Sequence, residues 1–292
     1  MTTLTKESVY LFFEKNVQKK DANDSNNKMR EHIILSLATN QVPEEFFELD
    51  EWKQLKEALN SALANEGIDA TDETFKMIQR GGRKFNHDFV ITCGGKSYNI
   101  EFKFNASTIS ETPQFVSPMK PSQFMTASYE DFFYENHLQD VLLNEQTIPK
   151  ENYLKSVHQP KPACLLSESE KYSNGYKKKD EESIAYYNKC CETTNASLVN
   201  FLKRPDVQLD VEKLNNYLES SQRDKIYLLF KEGKFYIEKH PKESYTITSY
   251  VKDESKHRFL ATTESGEIIK ILLRWKNGIT LFQSYMTNIS PC

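Results

Sequence analysis

Two carboxylates and an amine in the first half of the chain have the types and spacing of a hydrolytic metal centre. Twelve residues separate Asp88 from Glu101, and a single residue separates Glu101 from Lys103. Carboxylate oxygens suit a hard divalent cation such as Mg²⁺, which leaves most of its positions to water and to phosphate oxygens. If the two acids converge on one pocket, that pocket is ready for phosphodiester hydrolysis.

Alternation along a strand predicts which of these side chains are neighbours. Successive side chains of a strand point to opposite faces, so Glu101 and Lys103 in the segment 97–105 share one face. The opposite face carries apolar side chains that can bury against helices: Tyr98, Ile100, Phe102 and Phe104. A tight turn at Gly94-Gly95 brings the preceding strand, 87–92, alongside. Sequence does not fix the register, so the face on which Asp88 lies stays open.

Asp88, the hairpin and the tripeptide Glu101-Phe102-Lys103 resemble the PD-(D/E)xK motif of restriction-endonuclease-like nucleases, over roughly residues 25–145. In this chain His87 replaces the proline of that motif. The resemblance implies that Asp88, Glu101 and the carbonyl of Phe102 hold Mg²⁺ or Mn²⁺, and that Lys103 orients or deprotonates the attacking water.

Two further residues are candidates for the same centre. The resemblance implies a metal-binding glutamate on the preceding helix, and Glu31 occupies the expected place. Gln114 and Gln123 follow the third strand, where a polar side chain can position a phosphate or the lysine. We prefer Gln123, which we expect to open the next helix. His32 and His87 are expected to be packing or surface histidines.

Basic residues near the motif and near the C-terminus could contact phosphates. The predicted nucleic-acid contacts are Arg80, Arg83, Lys84, Lys120, Arg274 and Lys276. Trp275 lies between the last two and could stack on a base or pack in the core. The expected partner is nucleic acid, with DNA preferred over RNA, and a homodimer is compatible with the sequence.

Three functions remain open. The first is a metal-dependent DNA endonuclease, and the second is an RNA endonuclease similar to viral cap-snatching nucleases. The third is a non-catalytic module that binds nucleic acid or protein. In that third case Glu101 and Lys103 would form an ordinary exposed ion pair, which contributes little energy.

Composition predicts a globular protein without a membrane span. Of 292 residues 38% are apolar, enough for a proper core, and no run approaches the ~18 apolar residues of a membrane helix. The net charge of -4 arises from an acidic segment, 43–73. The five cysteines lack metal-site spacing, and no signal-peptide cleavage site follows the first apolar patch. We therefore expect an intracellular protein, cytoplasmic or nuclear and not secreted.

The pattern of apolar residues predicts an α/β fold with a restriction-endonuclease-like core. That core would comprise a helix, a three-stranded meander, a helix and a further strand. The nuclease core with its N-terminal helices is predicted for residues 1–146. A helical insertion or linker would occupy 147–224, and a β-rich part, 225–292, would extend the sheet or form a small second domain. The predicted helices are 25–40, 44–65, 122–143, 181–203 and 210–222, and the first strands are 75–79, 87–92 and 97–105.

Overall fold

The computed structural model describes residues 3–13, 23–81, 85–114, 120–159, 161–276, 279 and 281–289. The chain divides into two units. Unit 1 comprises Met1–Thr112 and Ser221–Pro241, and unit 2 comprises Pro113–Ser220 and Lys242–Cys292. The chain divides after Thr112, Ser220 and Pro241, whereas the sequence suggested divisions at 146/147 and 224/225. Residues 225–238 pair with the meander and extend its sheet, which is one of the two alternatives that the sequence left open.

Unit 1 places its helices before its strands. The helices are α1 (Tyr10–Phe13), α2 (Asn23–Ala38) and α3 (Asp50–Asn65), with short 3₁₀ helices at Lys6–Val9 and Glu44–Glu48. The strands are β1 (Lys76–Gln79), β2 (Phe89–Cys93), β3 (Lys96–Phe104), β5 (Lys225–Lys231) and β6 (Lys234–Glu238). Their order in the sheet is β1-β2-β3-β5-β6. Neighbours are antiparallel except β3 and β5, which are parallel.

The turn between β2 and β3 fixes the register of this hairpin. Gly94 and Gly95 have φ of 56° and 74°, a left-handed conformation that favours glycine. Phe89 consequently pairs with Ile100, and Thr92 pairs with Ser97. The sequence-based prediction of a tight turn at this pair of glycines is confirmed.

One face of the sheet forms the core of unit 1. Buried apolar side chains from the strands meet buried side chains of α2 and α3, among them Phe89, Ile100, Phe102, Phe230, Ile33, Trp52 and Leu55. Burial of each such side chain contributes roughly 1.5–3 kcal/mol, so this contact holds the sheet against the helices. The β5 strand is buried along nearly its whole length, as expected of a central parallel strand.

Unit 2 combines helices with a second sheet. Its helices are α4 (Tyr129–Asn136), α5 (Leu138–Val141), α6 (Lys150–Ser156), α7 (Leu166–Lys177), α8 (Glu181–Lys203) and α9 (Val211–Gln222). The last residues of α9 fall in unit 1. The antiparallel sheet has the order β4-β10-β9-β8-β7, formed by Pro113–Gln114, Leu281–Ile289, Ile268–Lys276, Arg258–Thr263 and Ile247–Asp253.

The predicted elements are confirmed where an apolar pattern is long and regular. The helix predicted for 181–203 matches α8, and the three meander strands match β1, β2 and β3 within about two residues. A continuous helix over 122–143 is wrong: residues 121–123 form a 3₁₀ turn, and α4 begins only at Tyr129. Ser25 and Asn26 lie inside α2 and do not cap it.

The sequence left open whether the β-rich C-terminal part extends the first sheet or forms a second one, and the structure shows that it does both. Residues 225–238 extend the first sheet, and residues 247–289 supply most of the second. The fold is α/β as predicted. Among the described residues no helix combines the length and apolar character needed to cross a membrane.

Candidate active site

Asp88 and Glu101 lie next to the paired residues Phe89 and Ile100, and the charge of Glu101 acts on Asp88. Phe89 and Ile100 are partners with side chains in the core, so the residues flanking this pair, Asp88 and Glu101, belong to the other face. The backbone N–H of Asp88 donates to the carbonyl of Ile100 at 2.8 Å, although Ile100 is the register partner of Phe89, so the regular pairing ends at Phe89. Oδ2 of Asp88 accepts a hydrogen bond from the Phe102 N–H at 2.9 Å. The face that the sequence left open is therefore the one that brings the two acids together.

Glu101 is buried and holds two ammonium groups. Its residue exposure is 7%, and Oε1 lies 2.5 Å from Nζ of Lys103. Oε2 lies 3.3 Å from Nζ of Lys225, a residue only 3% exposed at the start of β5. Lys225 was not predicted. Its place in the site comes from the parallel pairing of β5 with β3, in which Lys225 is the partner of Asn99.

The acids perturb one another. Burial raises the pKa of Asp88 from 3.8 to about 7, and the negative charges of Glu101 and Glu31 add to the increase. Burial also acts to raise the pKa of Glu101, but Lys103 and Lys225 outweigh it and hold that pKa below its ordinary value. One acid is thus held ionised while its neighbour resists ionisation.

Glu31 approaches this centre from α2. Its Oε2 accepts a hydrogen bond from Nε2 of Gln79 at 2.9 Å, which joins the helix to the end of β1. Its charge is among those that raise the pKa of Asp88. The structure therefore brings Glu31 near the pair, as the sequence predicted. Gln79 was missed because an exposed glutamine at the end of a short strand carries no sequence signal.

His87 lies beside the centre, half-buried. Its Nδ1 is 3.2 Å from Oδ1 of Asn86, and its ring is 5.5 Å from the Phe85 ring. Nε2 is buried and has no hydrogen-bond partner among the described residues. Burial, with the nearby charge of Lys225, lowers the pKa of His87, so the neutral ring is favoured. The predicted packing or surface role remains a prediction.

The donor set fits a hard divalent cation. Across the described ranges, no three side chains from His, Cys, Asp and Glu are grouped in a way that could hold a metal ion by themselves. Mg²⁺ does not require such a group, because proteins commonly bind it through one or two carboxylates while water and substrate phosphates supply the rest. The raised pKa of Asp88 shows that its ionised form is unfavourable in the metal-free protein. A bound cation would stabilise that ionised form.

Only part of the predicted nucleic-acid contacts can be placed. Arg80 is exposed in unit 1, and its backbone N–H donates to the Asp88 carbonyl at 2.7 Å. Arg83 and Lys84 lie outside the described residues, as does the side chain of Lys276. Lys120 and Arg274 are exposed in unit 2.

Trp275 has a structural partner in unit 2. Its Nε1 donates to the Tyr129 hydroxyl at 2.8 Å, and its ring centroid is 4.9 Å from that of Phe133. These contacts favour packing over base stacking, which was the other possibility that the sequence left open.

Gln123 also lies in unit 2, at the end of a 3₁₀ turn and not at the start of a helix. Its Oε1 accepts a hydrogen bond from the Lys120 N–H at 2.7 Å. The side chain of Gln114 is outside the described residues. The catalytic role predicted for Gln123 therefore stays a prediction.

The residues brought together on unit 1 are thus Asp88, Glu101, Lys103, Glu31, Lys225 and Gln79. Chemically they offer carboxylate oxygens for a cation and an amine beside a carboxylate. Comparisons of this chain with protein-family models, with curated proteins and with solved structures find no match.

Proposed function

We propose that the protein is a metal-dependent endonuclease that hydrolyses phosphodiester bonds, with DNA as its substrate. One observation carries the proposal. Asp88 and Glu101 lie next to the Phe89–Ile100 pair of one hairpin, close enough for their charges to interact, and Nζ of Lys103 is 2.5 Å from the second acid. Two acids for a hard cation and an amine for the attacking water are the parts that this reaction needs.

The burial of these groups weighs against an ordinary surface ion pair. Glu101 is 7% exposed, whereas the pairs that contribute little energy are those open to solvent. Asp88 resists ionisation because it is buried beside two other acids. Such an arrangement costs stability, and groups perturbed by burial and by like charges concentrate at functional sites.

Each residue has a role in the proposed reaction. Asp88 and Glu101, with the carbonyl of Phe102, would hold Mg²⁺ or Mn²⁺. The bound ion would supply a more acidic water and stabilise negative charge on the phosphate oxygens. Lys103 would orient that water or accept its proton, and Glu31 would add a carboxylate from α2. Arg80, exposed and joined to Asp88 through the backbone, would contact a neighbouring phosphate.

The topology of unit 1 supports a restriction-endonuclease-like core. A helix that carries one acid, α2, precedes a meander that carries the other two, and a returning strand, β5, lies parallel to β3. This is the order of helix, three-stranded meander and further strand that the sequence suggested. The sequence also predicted a helix between the meander and the further strand, but residues 113–220 belong to unit 2, and of their helices only the last residues of α9 reach unit 1.

Cleavage assays with labelled substrates test the proposal. Duplex DNA, single-stranded DNA and single-stranded RNA would each be incubated with Mg²⁺, with Mn²⁺ and with EDTA. We expect cleavage with either metal and none with EDTA, and loss of cleavage in Asp88→Asn, Glu101→Gln and Lys103→Met. RNA cleaved in preference to DNA would keep the centre and change the substrate.

Glu111→Gln is the matched control. It removes the same charge as Glu101→Gln from a half-exposed glutamate that pairs with Lys231 at 3.0 Å. This variant should cleave like the wild type. If the wild-type protein cuts none of the three substrates with either metal, and Asp88→Asn leaves Mn²⁺ binding unchanged, the proposal is wrong.

A further inference from the structure

Glu101 has two ammonium partners that differ in their freedom to move. Nζ of Lys103 contacts Oε1 at 2.5 Å, and Nζ of Lys225 contacts Oε2 at 3.3 Å. The Lys103 side chain is 18% exposed, whereas that of Lys225 is 2% exposed. A fully buried lysine is rare and almost always paired. Lys103 can therefore turn toward solvent, while Lys225 has little room to leave.

Further contacts keep the Lys225 ammonium group in place. It lies 5.2 Å from the centroid of the Tyr227 ring, two residues along the same strand. The Tyr227 hydroxyl is fixed in turn, because it donates to Oε1 of Gln222 at 2.8 Å. The backbone of Lys225 is held by the parallel pairing of β5 with β3. Removal of Lys225 from Glu101 would leave a charge buried without its partner, which is strongly unfavourable.

A cation that binds Glu101 would bring its positive charge close to both ammonium groups, each of which contacts one carboxylate oxygen. Repulsion between like charges then favours departure of the lysine that is freer to move. Lys103, the less buried of the two, is also the lysine that the proposed reaction needs near water. Lys225, in contrast, is too buried to touch a polynucleotide. Its effect on the reaction must pass through Glu101.

We propose that Lys225 is a positioning residue that keeps Oε2 of Glu101 with or without a cation, so that cation binding releases Lys103 alone from Oε1. This inference rests on the proposed function, since it assumes that Glu101 binds a divalent cation. It assigns Oε1 to the cation. The ion pair between Lys103 and Glu101 would then exist only in the metal-free protein and would break when the cation binds.

Lysine labelling tests the release directly and does not require turnover. The full-length protein would be treated with an amine-acylating reagent with and without Mn²⁺, and each lysine quantified by mass spectrometry. Acylation of Lys103 should rise by about tenfold or more with Mn²⁺, the effect expected when one charge-assisted hydrogen bond is lost. Lys225 should stay unlabelled in both states. Lys231, which contacts Glu111, is the control and should not respond.

Variants of Lys225 test the positioning role. Lys225→Met removes the ammonium group, and Lys225→Gln keeps a hydrogen-bond donor, so it serves if the first variant does not fold. We expect kcat to fall by about 100-fold with little change in KM, because a small misplacement of a group at the centre has an effect of that size. Lys231→Met, on the same strand, should retain wild-type kcat.

The results separate this inference from the proposed function. If the wild type binds Mn²⁺ and cleaves, but Lys103 stays protected or a folded Lys225 variant keeps wild-type kcat, only the inference is overturned. Lower thermal stability with unchanged kcat would show that Lys225 is merely structural, which also overturns it. If the wild type shows no Mn²⁺ signal by electron paramagnetic resonance and no cleavage, the proposed function fails and the inference falls with it.

Discussion

Replacement of Asp88 by asparagine should stabilise the metal-free protein at neutral pH while it abolishes cleavage. The carboxylate is partly buried and lies near Glu101 and Glu31. Its desolvation and the charges of these two acids together raise its pKa from 3.8 to about 7. Its negative charge is therefore unfavourable in the folded state. Asparagine keeps an oxygen that can accept the hydrogen bond from the Phe102 N–H, and it carries no charge.

The size of the effect follows from linkage between protonation and folding. A carboxyl whose pKa is higher in the folded than in the unfolded state contributes stability that is present below the unfolded pKa. That contribution is lost as pH rises through the folded pKa. A rise from 3.8 to about 7 corresponds to about 4 kcal/mol, since each pH unit is about 1.4 kcal/mol. The free energy of unfolding of Asp88→Asn, relative to wild type, should thus increase by up to about 4 kcal/mol between pH 4 and pH 8.

Urea unfolding in EDTA at pH 4, 6 and 8 measures this difference. Comparison of the variant with wild type at each pH cancels the titration of groups that do not interact with residue 88. Glu111→Gln is again the control, with the opposite sign: the Ser107 N–H and Lys231 hold the pKa of Glu111 below its ordinary value. That variant should therefore lose stability relative to wild type as pH rises.

The opposite result for Asp88→Asn would refute the reasoning. If the variant is less stable than wild type at pH 8, the negative charge of Asp88 stabilises the folded protein, for example by strengthening the hydrogen bond from the Phe102 N–H. A gain in stability together with a loss of cleavage is the combination expected of a residue retained for function at a cost in stability.

Three further predictions concern the amine, the core and the hairpin turn. Lys103→Met should lower the cleavage rate by about 100- to 10,000-fold, the usual contribution of a positioned acid or base, while Mn²⁺ binding by calorimetry persists; loss of Mn²⁺ binding would contradict this role. Phe230 is 1% exposed, and its ring centroid lies 4.8 Å from that of Phe12. Phe230→Ala should lower the free energy of unfolding in urea by about 3–5 kcal/mol, and a loss below about 1 kcal/mol would contradict the proposed packing. Gly94→Ala should cost about 1–2 kcal/mol from its left-handed backbone alone, since no atom lies within 4 Å of the added Cβ. Gly94→Asn should cost less than Gly94→Ala in the same unfolding assay, because asparagine tolerates that conformation.

The sequence could predict those site residues that lie close together along the chain. The period-two pattern of β3 and the two glycines of the turn are local features, so Asp88, Glu101 and Lys103 could be placed on one hairpin before the structure was known. Even the register, which the sequence left open, depends only on this turn. Glu31 was also proposed as a metal ligand, but only because of the resemblance to restriction-endonuclease-like nucleases. A glutamate on the polar face of a helix does not by itself indicate such a role.

The remainder of the site depends on long-range pairing. Lys225 begins a strand that the sequence predicted correctly, yet nothing local indicates that this strand lies beside β3. For the same reason the sequence left open whether the strands after residue 224 extend the first sheet or form a second domain. The helix predicted for 122–143 was wrong because its apolar residues fit a helical period, whereas Pro121 and the Ser128 cap confine the regular helix to Tyr129–Asn136.

The parallel pairing of β3 with β5 has a consequence for synthesis of the chain on the ribosome. The β3 strand ends at Phe104, and its neighbour begins at Lys225. At about 5–20 residues per second, the interval between the two amounts to roughly 6–24 s. During that time β3 is an edge strand with unpaired backbone groups, and Glu101 lacks its buried partner. A chaperone that binds the nascent chain before residue 225 is made would protect this strand edge from aggregation. Slow codons before residue 225 would prolong its exposure.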